Sequence, residues 1–225
     1  MEEKKPQELP PCWQPAWFKS FVRGLLWLFY GGPDVRGIEK TPKEGPLIIA
    51  STHRSYSDPV ILGAFISRPL YYMAKHDLFE NSLNAALITS LGAFPVNREN
   101  ARGSTFRTAM KLLRAGQTVV IFPEGGIVNS LGEQGFKGGI GTLATMSGAA
   151  ILPVYISGSN TLWDWGHALA DSTWLAIRVG DPIPPEGGRG REARERAAER
   201  TLEALRRLER DYLAETGEAE AAPSP

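Results

Sequence analysis

Cysteine is almost absent. Cys12 is the only one in 225 residues, which excludes a disulfide framework and a thiolate metal cluster. Histidine is nearly as scarce, with three. An excess of charge of either sign is also missing: 25 basic and 25 acidic residues cancel, so nothing argues for nucleic acid as a partner. No apolar run reaches the roughly 20 residues that a bilayer-spanning helix needs. The start, Met1 to Pro6, is charged and has no apolar core ahead of a cleavage site. No signal peptide is therefore expected, and a cytosolic face is the default. A Gly-x-Ser-x-Gly elbow is missing, and Gly132-Glu-Gln-Gly-Phe-Lys137 lacks the spacing and the Ser/Thr of a phosphate-binding loop.

What is present fits one compact domain with a proper core. Apolar runs of strand length, rich in Val, Ile and aromatics, fall at 46–51, 70–74, 92–97, 117–122, 151–156 and 174–179. Helical patterns alternate with them at 59–67, 79–90, 104–115, 138–147 and 191–213. This alternation predicts an α/β fold with a mixed, largely parallel sheet flanked by helices. Residues 1–15 read as a Pro-rich flexible leader, 32–213 as the domain proper and 214–225 as a disordered tail.

Between leader and domain, residues 16–31 hold an apolar, aromatic stretch interrupted by Lys19 and Arg23. On a helix, Phe18, Phe21, Val22, Leu25, Leu28 and Phe29 share a face, with Lys19, Ser20 and Arg23 beside it. That pattern suits a helix lying in a membrane interface, and equally one docked on the domain's own core.

The candidate chemistry gathers where strands end. In α/β sheets ligands bind beyond the carboxyl ends of the strands. His53 and Asp58 follow the 46–51 strand in His53-Arg-Ser-Tyr-Ser-Asp58. A carboxylate five positions from an imidazole can fix its tautomer and leave the other nitrogen to take a proton from an alcohol. Asp58 before Pro59 also reads as a helix N-cap. Asn97 and Arg98 end Gly92-Ala-Phe-Pro-Val-Asn-Arg98, and a guanidinium there suits an anionic phosphate or carboxylate. Phe122-Pro-Glu-Gly125 offers Glu124 and, at Gly125, an accessible backbone turn; Lys137 opens the next helix as a further cation for an anion. His76 and His167 sit in no comparable pattern.

Together these segments resemble the glycerolipid acyltransferase family that includes the 1-acylglycerol-3-phosphate acyltransferases. Four blocks stand in the family's order: His53-Arg-Ser-Tyr-Ser-Asp58, the block ending at Arg98, Phe122-Pro-Glu-Gly125 and Ile151-Leu-Pro-Val-Tyr155. The resemblance implies an O-acyltransferase of phospholipid biosynthesis, acting on a lysophospholipid hydroxyl. His53 oriented by Asp58 would be its general base, and acyl-CoA or an acyl carrier protein thioester its co-substrate. Arg98 and Lys137 would hold the acceptor's phosphate, and Glu124 with Gly125 its glycerol part. No metal or prosthetic group is implied, and the enzyme would sit peripherally or monotopically on the cytoplasmic face of the membrane. One departure stands out: the third block commonly continues Gly-Thr-Arg-Ser, whereas Gly126, Ile127 and Val128 follow Gly125 here, removing an arginine donor. Two rivals remain at this level: a serine-type lipid esterase, because Ser51, Ser55 and Ser57 crowd His53, and a non-catalytic lipid-binding module.

Overall fold

A computed structural model describes residues 12, 14–30, 32–75, 79–96, 103–127, 139–160, 175–188 and 190–217. Seven strands form one sheet: β1 (Asp34–Arg36), β2 (Leu47–Ser51), β3 (Leu70–Lys75), β4 (Ala93–Val96), β5 (Thr118–Ile121), β6 (Ala150–Ser157) and β7 (Ala176–Val179). Their order is β1-β7-β6-β2-β5-β3-β4. Neighbours run parallel except β6 and β7, which pair antiparallel. The expected mixed, largely parallel sheet is thus present. The three-residue β1 is an addition, too short for periodicity to register.

Among the described residues six α-helices flank it: α1 (Ala16–Tyr30), α2 (Asp58–Phe65), α3 (Ser82–Ser90), α4 (Ser104–Arg114), α5 (Gly139–Ser147) and α6 (Arg191–Thr216). The central strand β2 is buried along its whole length. Its residues alternate between two cores, as a pleated strand covered on both sides must. Leu47 and Ile49 pack with Leu26 of α1 and Ile61 and Leu62 of α2. Ile48 and Ala50 pack on the other side with α4, with α5 and with Ala197 of α6.

Two sequence expectations need correction. The leader is tied down near its end: Gln14 Nε2 donates to the carbonyls of Leu70 at 3.0 Å and Leu91 at 2.8 Å, and Cys12 bridges Leu91. Those carbonyls lie at the start of β3 and just ahead of β4. The tail boundary also moves. α6 continues past 213 to Thr216 and stops where Gly217, at φ 70°, donates its N–H to the Leu213 carbonyl.

α1 both docks and stays exposed, on opposite faces. Leu26 is buried and Val22 half-buried against the domain. Lys19, expected beside a membrane face, is buried instead. Its ammonium donates to the carbonyls of Ile66 at 2.7 Å, Ser67 at 3.2 Å and Arg68 at 3.3 Å. These are the carbonyls just past α2, where the helix dipole is negative and the last C=O groups lack helical partners. Burial lowers the Lys19 pKa from its ordinary value, and the three acceptors offset that cost. The outward face carries Trp17, Phe21 and Leu28, 62%, 57% and 69% exposed. The side chain of Phe29 lies outside the described set. Among the described residues no helix is long and apolar enough to cross a membrane.

Candidate active site

The loop from β2 to α2 is built around one carboxylate oxygen. Asp58 has no exposed surface. Its Oδ2 accepts from His53 Nδ1 at 2.9 Å, from the Arg54 N–H at 2.7 Å and from the Ser55 N–H at 2.8 Å. A buried carboxylate is costly unless such donors replace its water. Asp58 is the first residue of α2, and its side chain reaches back into the loop rather than forward onto the helix's free N–H groups. The N-cap expectation is therefore corrected. Ser57 stands at the cap position without a side-chain cap, and Asp58 organises what precedes the helix.

An ionised carboxylate can only accept, so the Nδ1 of His53 is the donor of this bond, and a neutral ring then keeps its lone pair on Nε2. The ring is fixed on a second side by Phe122, with centroids 4.0 Å apart and planes 20° from parallel. Phe122 follows β5, the parallel neighbour of β2, so adjacent strands deliver base and platform to the same end of the sheet. Thr52 holds the strand end: its N–H donates to the Val154 carbonyl at 3.2 Å, and its Oγ1 accepts the Ile156 N–H at 2.9 Å. Tyr72 donates its hydroxyl to the Pro59 carbonyl at 2.7 Å, pinning the first turn of α2. Burial raises its phenol pKa well above the usual value, so the donor is kept.

Glu124 joins the same cluster. It has no exposed surface, and its Oε2 accepts the His53 N–H at 3.3 Å. A side chain so enclosed braces the base's backbone. In this position it supports the loop that carries the base. Gly125 likewise shapes the turn: at φ 74° it donates its N–H to the Phe122 carbonyl at 3.0 Å. That N–H is spent within the turn, and the left-handed backbone is what requires glycine there. Arg98, Asn97 and Lys137 lie outside the described residues, as do His76 and His167.

Sequence reasoning gave Phe122 no role and missed the engagement of Arg54. The Arg54 guanidinium forms an ion pair with Glu209 of α6 at 2.8 Å. No local spacing signals a partner 155 positions away. Of the serines near His53, the Ser51 hydroxyl donates to the Thr52 carbonyl and the buried Ser55 hydroxyl accepts the Ser57 N–H. Both hydroxyls serve the loop, which weighs against a serine nucleophile among them. What remains is an oriented imidazole, a basic nitrogen and a carboxylate able to stabilise the imidazolium. That is equipment for taking a proton from an alcohol.

Comparison with known proteins adds four findings. A family model described as Acyltransferase matches residues 32–157. The 1-acyl-sn-glycerol-3-phosphate acyltransferase of Bacillus subtilis (strain 168) is 32% identical over 68% of this chain and 74% of its own length. That of Streptococcus pneumoniae (strain ATCC BAA-255 / R6) is 30% identical over 74% of this chain, which spans 62% of that protein. Among solved structures, the 1-acyl-sn-glycerophosphate (LPA) acyltransferase PlsC of Thermotoga maritima superposes with a TM-score of 0.62 at 24% identity. That match covers 86% of this chain and 77% of the other, and shows a shared fold.

Proposed function

The chain belongs to the acyltransferase family, and from that premise we propose that it moves a fatty acyl group from a thioester to the hydroxyl of a lysophospholipid, 1-acylglycerol-3-phosphate, in phospholipid biosynthesis. The observation that carries this reading is the 2.9 Å pairing of His53 Nδ1 with the buried Asp58 inside the matched segment. The names of the relatives supply the acceptor.

In the proposed reaction the acceptor hydroxyl gives its proton to His53 Nε2 as its oxygen attacks the thioester carbonyl. A C–O bond forms and the C–S bond breaks. The departing sulfur takes the proton back from the imidazolium, which Asp58 stabilises in the interval. Two substrates and this pair complete the balance, so no metal or prosthetic group is called for. Arg98 and Lys137 are assigned to the acceptor's phosphate by their places in the family's pattern, where a charged fork and an ammonium suit a dianion. The donor is acyl-CoA or an acyl carrier protein thioester, which share the reacting group.

The test is transfer by purified protein, with both thioesters offered against a panel of lysolipids. Diacylated phosphatidate formed from 1-acylglycerol-3-phosphate is the expected product. Thioester loss without any acceptor-dependent product would replace this reading with a hydrolase.

Trp17, Phe21 and Leu28 give the substrate's bilayer a place to meet the enzyme, which we assign to peripheral binding at the cytoplasmic face. An exposed aromatic and aliphatic face on a helix whose other face is docked suits the headgroup boundary. Burying each such side chain contributes about 1.5–3 kcal/mol, roughly tenfold or more in partitioning. Replacing all three with serine should abolish sedimentation with anionic lipid vesicles. Transfer to a short-chain, water-soluble acceptor should persist. Undiminished vesicle binding would remove α1 from the membrane surface.

A further inference from the structure

We infer that Glu209, on the C-terminal helix and outside the family-matched segment, is a positioning residue for the acyl transfer: through Arg54 it holds the loop that presents His53. The inference rests on the proposed reaction for its kinetic meaning and on the structure for its geometry.

Arg54 follows the base directly, and its two ends are held from opposite sides. Its N–H donates to Asp58 Oδ2 at 2.7 Å, and its Nη2 meets Glu209 Oε1 at 2.8 Å. Asp58 belongs to α2, which packs on one face of the sheet, whereas α6 shares the other face with α4 and α5. The loop at the end of β2 is therefore held by Asp58 through its backbone and by α6 through the Arg54 side chain.

The pair differs from the surface bridges in burial. Its side chains are 11% and 12% exposed, against 90% and 53% for Arg191–Glu195 on the same helix. Exposed pairs contribute little to stability. A buried pair loses much of its attraction to desolvation, and its clearest use is to specify one arrangement over others. Fixing a loop that carries a general base is such a use.

α6 is a rigid place from which to act. It is 26 residues long and buries Ala193, Ala197, Thr201, Leu205 and Tyr212. Its backbone abuts α5 so closely that a Cβ on Gly141 would stand 2.0 Å from the Arg194 carbonyl oxygen. Near Glu209, Tyr212 packs on Tyr155 of β6 with ring centroids 5.6 Å apart. Burial, with the Glu209 charge second, pushes the Tyr155 phenol up to about 12, so that contact stays neutral. β6 is the other parallel neighbour of β2, so helix, strand and loop are registered together.

A competing use of Arg54 is direct contact with the acceptor's phosphate, and steady-state kinetics separate the two. In Glu209→Gln, positioning predicts a fall in kcat of about tenfold, since small displacements of a catalytic group are costly. KM for both substrates should stay within about twofold, and Glu209→Asp, which keeps the charge, should recover much of the loss. A phosphate-binding Arg54, released by Glu209→Gln, would instead lower the acceptor KM with kcat intact, and that overturns the inference. A readout without turnover decides the matter independently. The Nδ1 proton of His53, identified by its loss in His53→Ala, should be sharp in the wild-type imidazole spectrum and broadened in Glu209→Gln. An unchanged resonance overturns the positioning role. A wild-type protein that transfers nothing overturns the proposed reaction while this spectrum still answers for the loop.

Discussion

His53→Ala should remove acyl transfer, by about 10²–10⁴-fold, while leaving a folded protein that still binds vesicles. The reason lies in what the ring alone supplies. Nε2 is the lone pair that the Asp58 pairing leaves free, and the other histidines, His76 and His167, have no aspartate five positions on. The cost to the fold is modest. The ring is 15% exposed and contributes one stacking contact with Phe122, whereas the loop's backbone is held by Asp58 and Glu124 through N–H groups that alanine keeps. Thioester consumption and lipid product should fall together, measured at saturating substrates. Transfer at the wild-type rate would take His53 out of the chemistry and overturn the proposed mechanism.

The elements that could be read from the sequence are those whose cause is local. Strand β2 announces itself as Leu47-Ile-Ile-Ala50 because a strand buried on both faces needs apolar residues without interruption. The His53–Asp58 pairing was legible because a short loop between strand and helix brings the two together almost unaided. Lys19 was not legible, since nothing near it in sequence says that the carbonyls of Ile66, Ser67 and Arg68 await a donor. Its periodicity placed it beside an apolar face, and tertiary contact turned that flank inward. Glu124 was placed at the strand end, but its contact with the base's backbone was not foreseen. Which way a rim carboxylate turns depends on the neighbouring loop, and the His53 N–H decides it. The Arg54–Glu209 pair could not be found at all, because it is a property of how α6 crosses the sheet.

Asp58→Asn should be as damaging as His53→Ala to turnover and more damaging to the fold. The amide oxygen can still accept from His53 Nδ1, Arg54 and Ser55, so the loop's shape can survive. Charge is what is lost, and with it the stabilisation of the imidazolium formed during transfer. The loss should fall within the roughly 10²–10⁴-fold that general base catalysis supplies. The amide NH₂ would replace Asp58 Oδ1, which is buried with no hydrogen-bond partner among the described residues. An unsatisfied donor there should cost about 1–3 kcal/mol of stability, visible as a lower denaturation midpoint with unchanged slope. His53→Ala leaves no such group stranded. If the two residues act as one base, the double variant should be scarcely slower than the worse single one, because residues that work as a unit are not additive. Additive losses in kcat would mean that Asp58 acts on the reaction by a route that does not pass through His53.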